Sequence, residues 1–118
     1  SVARRIELAM QIGEKHNSWE TSVVELADII GTGLHASEAV PSAFGILACC
    51  GDDPEQAILA GVNIGNDTDT VAIMVGSIVG AFHGYEALPS NYLNILNEAN
   101  NFDLENLTAQ ILKVHNLS

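Results

Sequence analysis

Residues 67–84 read DTDTVAIMVGSIVGAFHG, a polar start followed by a long apolar run. Written as a helix, its aliphatic side chains cover nearly every face, which is typical of a helix buried among others. Gly76, Gly80 and Gly84 recur at every fourth position, so one face carries only hydrogen atoms and favours the close approach of another helix backbone. The sequence therefore predicts a central helix that packs tightly on its glycine face.

Capping and breaking residues on either side divide the rest of the chain into six further predicted helices. The expected starts are Ser18, Asp53-Pro54, Leu88-Pro89 and Asp103, and the expected ends are Gly31, Gly51 and Gly65-Asn66. Because proline has no amide hydrogen to give to a helix interior, we expect Pro41 in the first turn of the third helix. The sequence has no alternating strand pattern of useful length, so it predicts an all-α fold of several helices.

The length and hydrophobicity suit a single small domain or part of one. The chain has 118 residues, of which 47% are hydrophobic and 16% charged, so it has ample material for a core. The apolar spacing of Val2, Ile6 and Ala9 is already helical where the sequence starts. We therefore expect the chain to be a piece of a longer protein.

Negative charge dominates the chain and limits what it can bind. There are 4 lysines and arginines against 15 acidic residues, a net charge of −11, and no lysine or arginine lies between His16 and Leu112. A nucleic-acid surface or an anionic-membrane patch cannot be built from such a composition, so neither partner is expected. An anionic ligand would have to be held by backbone N–H groups, helix N-termini, histidine or a metal ion.

Cys49 and Cys50 are adjacent and have no third cysteine to pair with. This pattern is typical of buried thiols in a reducing compartment. No signal peptide is visible, and the longest apolar stretch, residues 71–82, is shorter than the ~20 residues that a membrane span needs. These features predict a soluble, cytoplasmic protein.

Oxygen-bearing side chains are concentrated at Asp67, Asp69 and Thr70, directly before the apolar helix. One residue would suffice to cap that helix, so two interpretations stay open: capping, or the binding of a hard cation such as Mg²⁺, Mn²⁺ or Ca²⁺. An EF-hand loop fails because Ala72 and Ile78 stand where it needs Gly and Glu. The string also resembles the D-x-D-x-[TV] motif of haloacid dehalogenase phosphatases, which follows a buried strand; that phosphatase function is a less favoured alternative.

Four segments of the chain share the order and spacing of one known family. They are residues 31–43 (GTGLHASEAVPSA), residues 57–70 (AILAGVNIGNDTDT), residues 80–84 (GAFHG) and Leu88-Pro89. Together they resemble the carboxy-terminal part of the ADP-ribosylglycohydrolase family. This family includes the dinitrogenase reductase-activating glycohydrolase and the ADP-ribosylarginine and ADP-ribosylserine hydrolases.

The resemblance implies a compact all-α fold around a dinuclear Mg²⁺ or Mn²⁺ site. At that site the N- or O-glycosidic bond between ADP-ribose and an acceptor, either a protein side chain or a small molecule, would be hydrolysed. The resemblance further implies that Asp67 binds one metal ion, that Asp69 bridges both, and that Thr70 binds through its hydroxyl group. It identifies no catalytic residue in this chain.

The same resemblance implies how the diphosphate of ADP-ribose would be bound. The backbone amides of Thr32, Gly33 and Leu34 would donate to it, with His35 nearby. This agrees with the charge distribution, since a segment without lysine or arginine must use amides and metal ions. For two further polar residues we expect structural roles: Glu38 as a carboxylate bonded to loop amides, and His83 as a partner of its own helix C-terminus.

Two departures from the family pattern limit what the chain would do alone. Asn66 stands where the family usually has a second glycine. The family's other metal ligands, a Thr-Asp-Asp triplet, and its acidic residue near the substrate come from an amino-terminal half that residues 1–118 do not contain. We therefore expect residues 1–118 to be the carboxy-terminal part of a single domain, inactive without that half. A non-catalytic family member with a structural, crystallin-like role is the alternative.

Overall fold

The computed structural model of the chain describes residues 1–117, with side chains through residue 116. Seven α-helices account for most of this range, and none of it is strand. The helices are α1 (Val2–Lys15), α2 (Trp19–Ile29), α3 (Ala36–Cys50), α4 (Pro54–Asn63), α5 (Thr68–His83), α6 (Asn91–Asn100) and α7 (Leu104–Leu117), with a 3₁₀ turn at Tyr85–Ala87. The predicted all-α class is confirmed. None of the described helices is long and apolar enough to cross a membrane.

The chain divides into two compact units. The first, Ser1–Leu88, contains α1 to α5 and the hydrophobic core. Small and aliphatic side chains from all five helices form this core, and the largest of its completely buried aliphatic side chains are Leu26, Ile30, Ile46, Val71, Val75 and Val79. The second unit begins at Pro89 and contains α6 and α7. No described side chain of the second unit is buried.

Helix boundaries follow the capping residues that the sequence marks. Ser18 accepts a hydrogen bond from the Thr21 amide at the start of α2, and Asp53 accepts one from the Gln56 amide at 3.2 Å at the start of α4. At the other end of α2, Gly31 has a φ of +92°, a value that favours glycine. These predicted ends are confirmed because each depends on local hydrogen bonds and backbone angles.

The tightest helix crossing lies between α1 and α3. A Cβ atom added to Gly13 would lie 2.1 Å from the carbonyl oxygen of Gly45, and one added to Gly45 would lie 2.9 Å from that of Ala9. Backbone thus meets backbone at this crossing, which only glycine permits.

The prediction that α5 is central is wrong for this chain. Only Val71, Val75 and Val79 of α5 are buried, while Ile73 is 68% and Phe82 is 82% exposed. Within the first unit α3 and α4 pack against α5, but they cover one side of it only. An apolar side chain can be buried only where another element reaches it, and the other side of α5 has no such neighbour among the described residues.

The predicted packing of the α5 glycine face is also wrong. A Cβ added to Gly80 or Gly84 would meet no atom within 4 Å, and one added to Gly76 would meet only Ile58 Cγ1, at 4.0 Å. The close approach instead occurs at Gly61 of α4, where an added Cβ would lie 3.0 Å from Ala72 Cα of α5.

The position of Pro41 also differs from the prediction. Pro41 lies inside α3, beyond the first turn. A helical residue at this position would donate its amide to the carbonyl of Ser37, and proline cannot. That carbonyl accepts a hydrogen bond from the Arg5 side chain of α1 instead. The helix tolerates the proline because a tertiary donor replaces the missing amide.

Candidate metal and anion site

The structure brings the two predicted site motifs together. Residues 31–35, here called the glycine loop, connect α2 to α3, and Asp67 immediately precedes α5. The Asp67 amide donates a 3.0 Å hydrogen bond to the carbonyl of Thr32. A cleft is lined by the glycine loop and by Asp67, whereas Asp69 and Thr70 of the predicted metal motif do not line it; its polar and charged side chains are Arg5, Asp28, Thr32, Glu38, Asn66 and Asp67. Motifs far apart in sequence therefore share one surface.

Two hydrogen bonds fix the start of the glycine loop. The Gly31 amide donates to the carbonyl of Leu26 at 3.0 Å, and the buried hydroxyl of Ser42 donates to the carbonyl of Gly31 at 2.7 Å. Together with the positive φ of Gly31 they turn the chain sharply out of α2. The loop therefore leaves the helix in a defined direction.

The two glycines of the loop make room for a carboxylate. A Cβ on Gly31 would lie 2.5 Å from Glu38 Oε1, and a Cβ on Gly33 would lie 2.3 Å from Glu38 Oε2. The structural role expected of Glu38 is thus supported by packing. The expected hydrogen bonds are not found, because no loop amide donates to this carboxylate among the described residues.

The loop amides that the sequence assigns to an anion have no acceptor among the described residues. Within the described chain, the N–H groups of Thr32, Gly33 and Leu34 donate to no protein acceptor. All three residues line the cleft, with the Thr32 residue 1% exposed and Leu34 86% exposed. His35 is the exposed N-cap residue of α3 and does not line the cleft, so it lies beside the site rather than in it.

The carboxylates of the predicted metal motif lie close together at the start of α5. Asp67 is the N-cap residue, yet its side chain makes no capping hydrogen bond. The pKa of Asp69 is held below its usual range, first by a hydrogen bond with the Asp67 side chain and then by the amides of Thr70 and Asp69 itself. Asp69 is therefore ionised at neutral pH, close to a second carboxyl group.

This arrangement fits part of a metal site. Asp69 and Thr70 are exposed in the first turn of α5, and Asp67 is half-buried beside the glycine loop. Two adjacent carboxyl groups and a hydroxyl are the oxygen ligands that Mg²⁺ and Mn²⁺ take. The described residues contain no group of three or more His, Cys, Asp and Glu side chains that could hold a metal ion. Asp67, Asp69 and Thr70 therefore do not by themselves make a complete metal site in the described part of the chain.

Arg5 is a residue of the cleft that the sequence analysis missed. It reaches the cleft from α1 and is the only lysine or arginine among the lining residues described, beside Asp28, Glu38 and Asp67. In the sequence every lysine and arginine lies near one end of the chain, well separated along it from the glycine loop. The one available signal was Pro41, because a proline inside a helix leaves a carbonyl that needs a donor from elsewhere.

Three other residues singled out in the sequence, His83, Cys49 and Cys50, do not line the cleft. His83 Nε2 donates a 2.8 Å hydrogen bond to the carbonyl of Gly51, so it serves the end of α3 and not the end of its own helix. Cys49 and Cys50 are free and half-buried, and burial raises the pKa of Cys50 to about 12. Cys50 is therefore a protonated, unreactive thiol at neutral pH.

The fold and the site together define a helical protein in which a carboxylate-rich helix start adjoins a glycine loop with free amides. The phosphatase alternative is dropped, since no described residue lies in a strand and its motif follows one. The sequence profile of the ADP-ribosylglycohydrolase family matches residues 1–118. The chain belongs to the ADP-ribosylglycohydrolase family.

Curated relatives agree with this assignment. The uncharacterized protein YegU of Escherichia coli (strain K12) is 29% identical over 113 residues, which cover 96% of this chain and 34% of YegU. The human ADP-ribosylhydrolase ARH3 is 32% identical over 92 residues, which cover 70% of this chain and 25% of that protein. The chain thus spans between a quarter and about a third of the length of these relatives. No solved structure gives a significant match.

Proposed function

We propose that residues 1–118 form the carboxy-terminal part of a single ADP-ribosylglycohydrolase domain. The complete domain would be a metal-dependent hydrolase that cleaves the N- or O-glycosidic bond between ADP-ribose and an acceptor, a protein side chain or a small molecule. The observation that carries the proposal is the hydrogen bond from the Asp67 amide to the Thr32 carbonyl. It connects the loop whose amides would bind the anion to the helix start whose carboxylates would bind the cation, in a member of this family.

Asp67, Asp69 and Thr70 would hold the Mg²⁺ or Mn²⁺ ions, with Asp69 shared between two of them. When bound, such an ion would supply Lewis-acid chemistry: it would polarise the ribose and lower the pKa of a water molecule. The adjacent carboxyl groups of Asp67 and Asp69 support this assignment, because oxygen ligands of one cation must lie close together. Mg²⁺ prefers about six oxygen ligands, more than these three side chains supply.

The diphosphate of ADP-ribose would lie on the amides of Thr32, Gly33 and Leu34, with His35 at its edge. Several N–H groups aimed at one anion bind it without a full positive charge. The Glu38 carboxylate would support the loop from beneath, packed between its two glycines.

The remaining metal ligands would come from the amino-terminal half of the same domain. The exposed apolar side of α5, which includes Ile73 and Phe82, supports this arrangement, since a soluble helix normally covers such side chains. Residues 1–118 would thus pack against that amino-terminal half of the domain. Without it the chain alone would be inactive.

The test is the release of ADP-ribose from a mixture of Ser- and Arg-ADP-ribosylated peptides, followed by mass spectrometry with Mg²⁺ or Mn²⁺ present. We expect the complete protein to release ADP-ribose and the isolated chain to release none. Asp69→Ala in the complete protein should abolish release, and Asp103→Ala, at the N-terminus of α7, is the matched control. Undiminished release by Asp69→Ala would refute the metal assignment. A complete protein that binds ADP-ribose and metal without release would indicate the non-catalytic alternative.

A further inference from the structure

We propose that Arg5 is a positioning residue for the glycine loop, which it holds at both ends. Its Nη2 donates to the carbonyl of Ile30, just before the loop, and its Nε donates to the carbonyl of Ser37, just after it. One half-buried guanidinium group on α1 thus bridges the two flanks of residues 31–35. For the ligand that the loop holds, this inference rests on the proposed function.

Both carbonyls lack a helical partner, for different reasons. α2 ends at Ile29, so the carbonyl of Ile30 lies beyond the hydrogen-bonding pattern of that helix. The carbonyl of Ser37 would pair with the amide of residue 41, which is proline. A carbonyl shielded from water and left without a donor costs free energy, so a single donor group that reaches both carbonyls stabilises the folded chain. The planar, forked guanidinium of Arg5 reaches both.

The fork explains why arginine and not lysine suits this position. An ammonium group is a single point of donation on a flexible stem, whereas the donors of a guanidinium are fixed in one plane. Losing the fork frees one flank of the loop even if the charge is kept. Arg5 also brings the only positive side chain of the described cleft beside the amides of Thr32, Gly33 and Leu34.

The effect of Arg5 extends to the start of α5. The carbonyl of Thr32 accepts the Asp67 amide, so a loop that loses its shape also loses this bond. Amide hydrogen exchange at Asp67 therefore reports the state of the loop without any ligand.

The test compares Arg5→Lys with Arg4→Lys, its exposed neighbour on α1. By NMR on the 118-residue chain, Arg5→Lys should speed exchange of the Asp67 amide about tenfold, the change expected from losing one charge-assisted hydrogen bond. Arg4→Lys should leave that rate unchanged. In the complete protein with Mg²⁺ present, Arg5→Lys should weaken ADP-ribose binding by a similar factor, with little change in melting temperature.

Chemical rescue separates positioning from general stability. In Arg5→Ala, millimolar methylguanidinium should restore part of the Asp67 protection, while methylammonium at the same concentration should not, since it has charge without a fork. If Arg5→Ala does not fold, the exchange rate of the Asp67 amide in Arg5→Lys still tests the proposal. Exchange at Asp67 that is the same in the Arg5→Lys and Arg4→Lys chains would overturn the proposal. If Arg5→Lys speeds Asp67 exchange as expected but the complete protein binds no ADP-ribose, the role of Arg5 stands and only the proposed function is refuted.

Discussion

Glycine has opposite roles at the α1–α3 crossing and on the outer side of α5. At the crossing, a Cβ on Gly13 would lie 2.1 Å from the Gly45 carbonyl oxygen. On α5, a Cβ on Gly80 would meet nothing within 4 Å, although Gly76, Gly80 and Gly84 have the regular spacing that predicts close packing. The regularly spaced glycines of α5 make no close contact, whereas Gly13 and Gly45, which follow no such spacing, do.

The difference shows that close helix packing is a property of two helices and not of one. A glycine only permits a neighbour to approach, and the neighbour must be brought there by the connections of the fold. Gly13 faces Gly45 because α1 packs along α3. The same substitution, Gly→Ala, should therefore have different effects along the chain.

The largest effect should come from Gly13→Ala. The added methyl group would overlap backbone atoms of α3, and backbone cannot move aside as a side chain can. We expect a loss of about 2–3 kcal/mol or more in the free energy of unfolding, measured by urea denaturation. A stability equal to the parent would show that the crossing is looser than described.

Gly80→Ala should change stability in the opposite direction. Its methyl group would enter open space, and alanine favours a helix over glycine by up to about 1 kcal/mol. The melting temperature of the 118-residue chain should rise slightly. A clear fall would mean that something packs against this face in solution.

Gly61→Ala should lie between the two. The added Cβ would be 3.0 Å from Ala72 Cα, so a small steric cost opposes the helical gain. We expect the free energy of unfolding to stay within about 0.5 kcal/mol of the parent. An effect as large as that of Gly13→Ala would break the proposed relation between Cβ distance and stability.

The smallest effect should come from Glu25 of α2. Its carboxylate contacts the side chains of Lys15, at the end of α1, and His16, the next residue. Hydrogen bonds from Lys15 and then His16 hold the pKa of Glu25 below its usual range. A lowered carboxyl pKa stabilises the fold above the usual glutamate pKa, and this contribution is lost as the pH falls through the folded value.

Glu25→Gln should therefore lower the melting temperature slightly at neutral pH and not at all in strong acid. Glu14→Gln, on the exposed surface of α1, is the control and should show no such pH dependence. This effect ranks last because the Lys15 side chain is 57% exposed and ion pairs open to solvent contribute little. A difference that grows in acid would contradict the assigned sign.

Much of the fold could be predicted because helix ends are local. Ser18, Asp53 and Asp103 each accept a hydrogen bond from an amide three residues ahead, so their roles can be read from neighbouring sequence. The exposure of α5 could not be predicted, because hydrophobicity records what a side chain could bury and not which helix reaches it.

The candidate site was predictable to the same limited extent. The motifs around Thr32 and Asp67 were identified in sequence, and the structure places them in hydrogen-bond contact. Arg5 was missed because its role depends on the path of α1 past the loop, and on a carbonyl that Pro41 leaves open. No spacing rule along the chain connects these residues.

A calorimetric titration of the 118-residue chain with Mn²⁺ would show whether the start of α5 binds a metal ion. If Asp67, Asp69 and Thr70 form part of a metal site, binding should be weak, with a dissociation constant on the order of millimolar, because few of the required ligands are present. Asp69→Ala should abolish that binding, and Asp103→Ala should leave it intact. Binding that survives Asp69→Ala would contradict the account by placing the metal elsewhere, and micromolar binding by the chain alone would contradict the proposal that its site is partial.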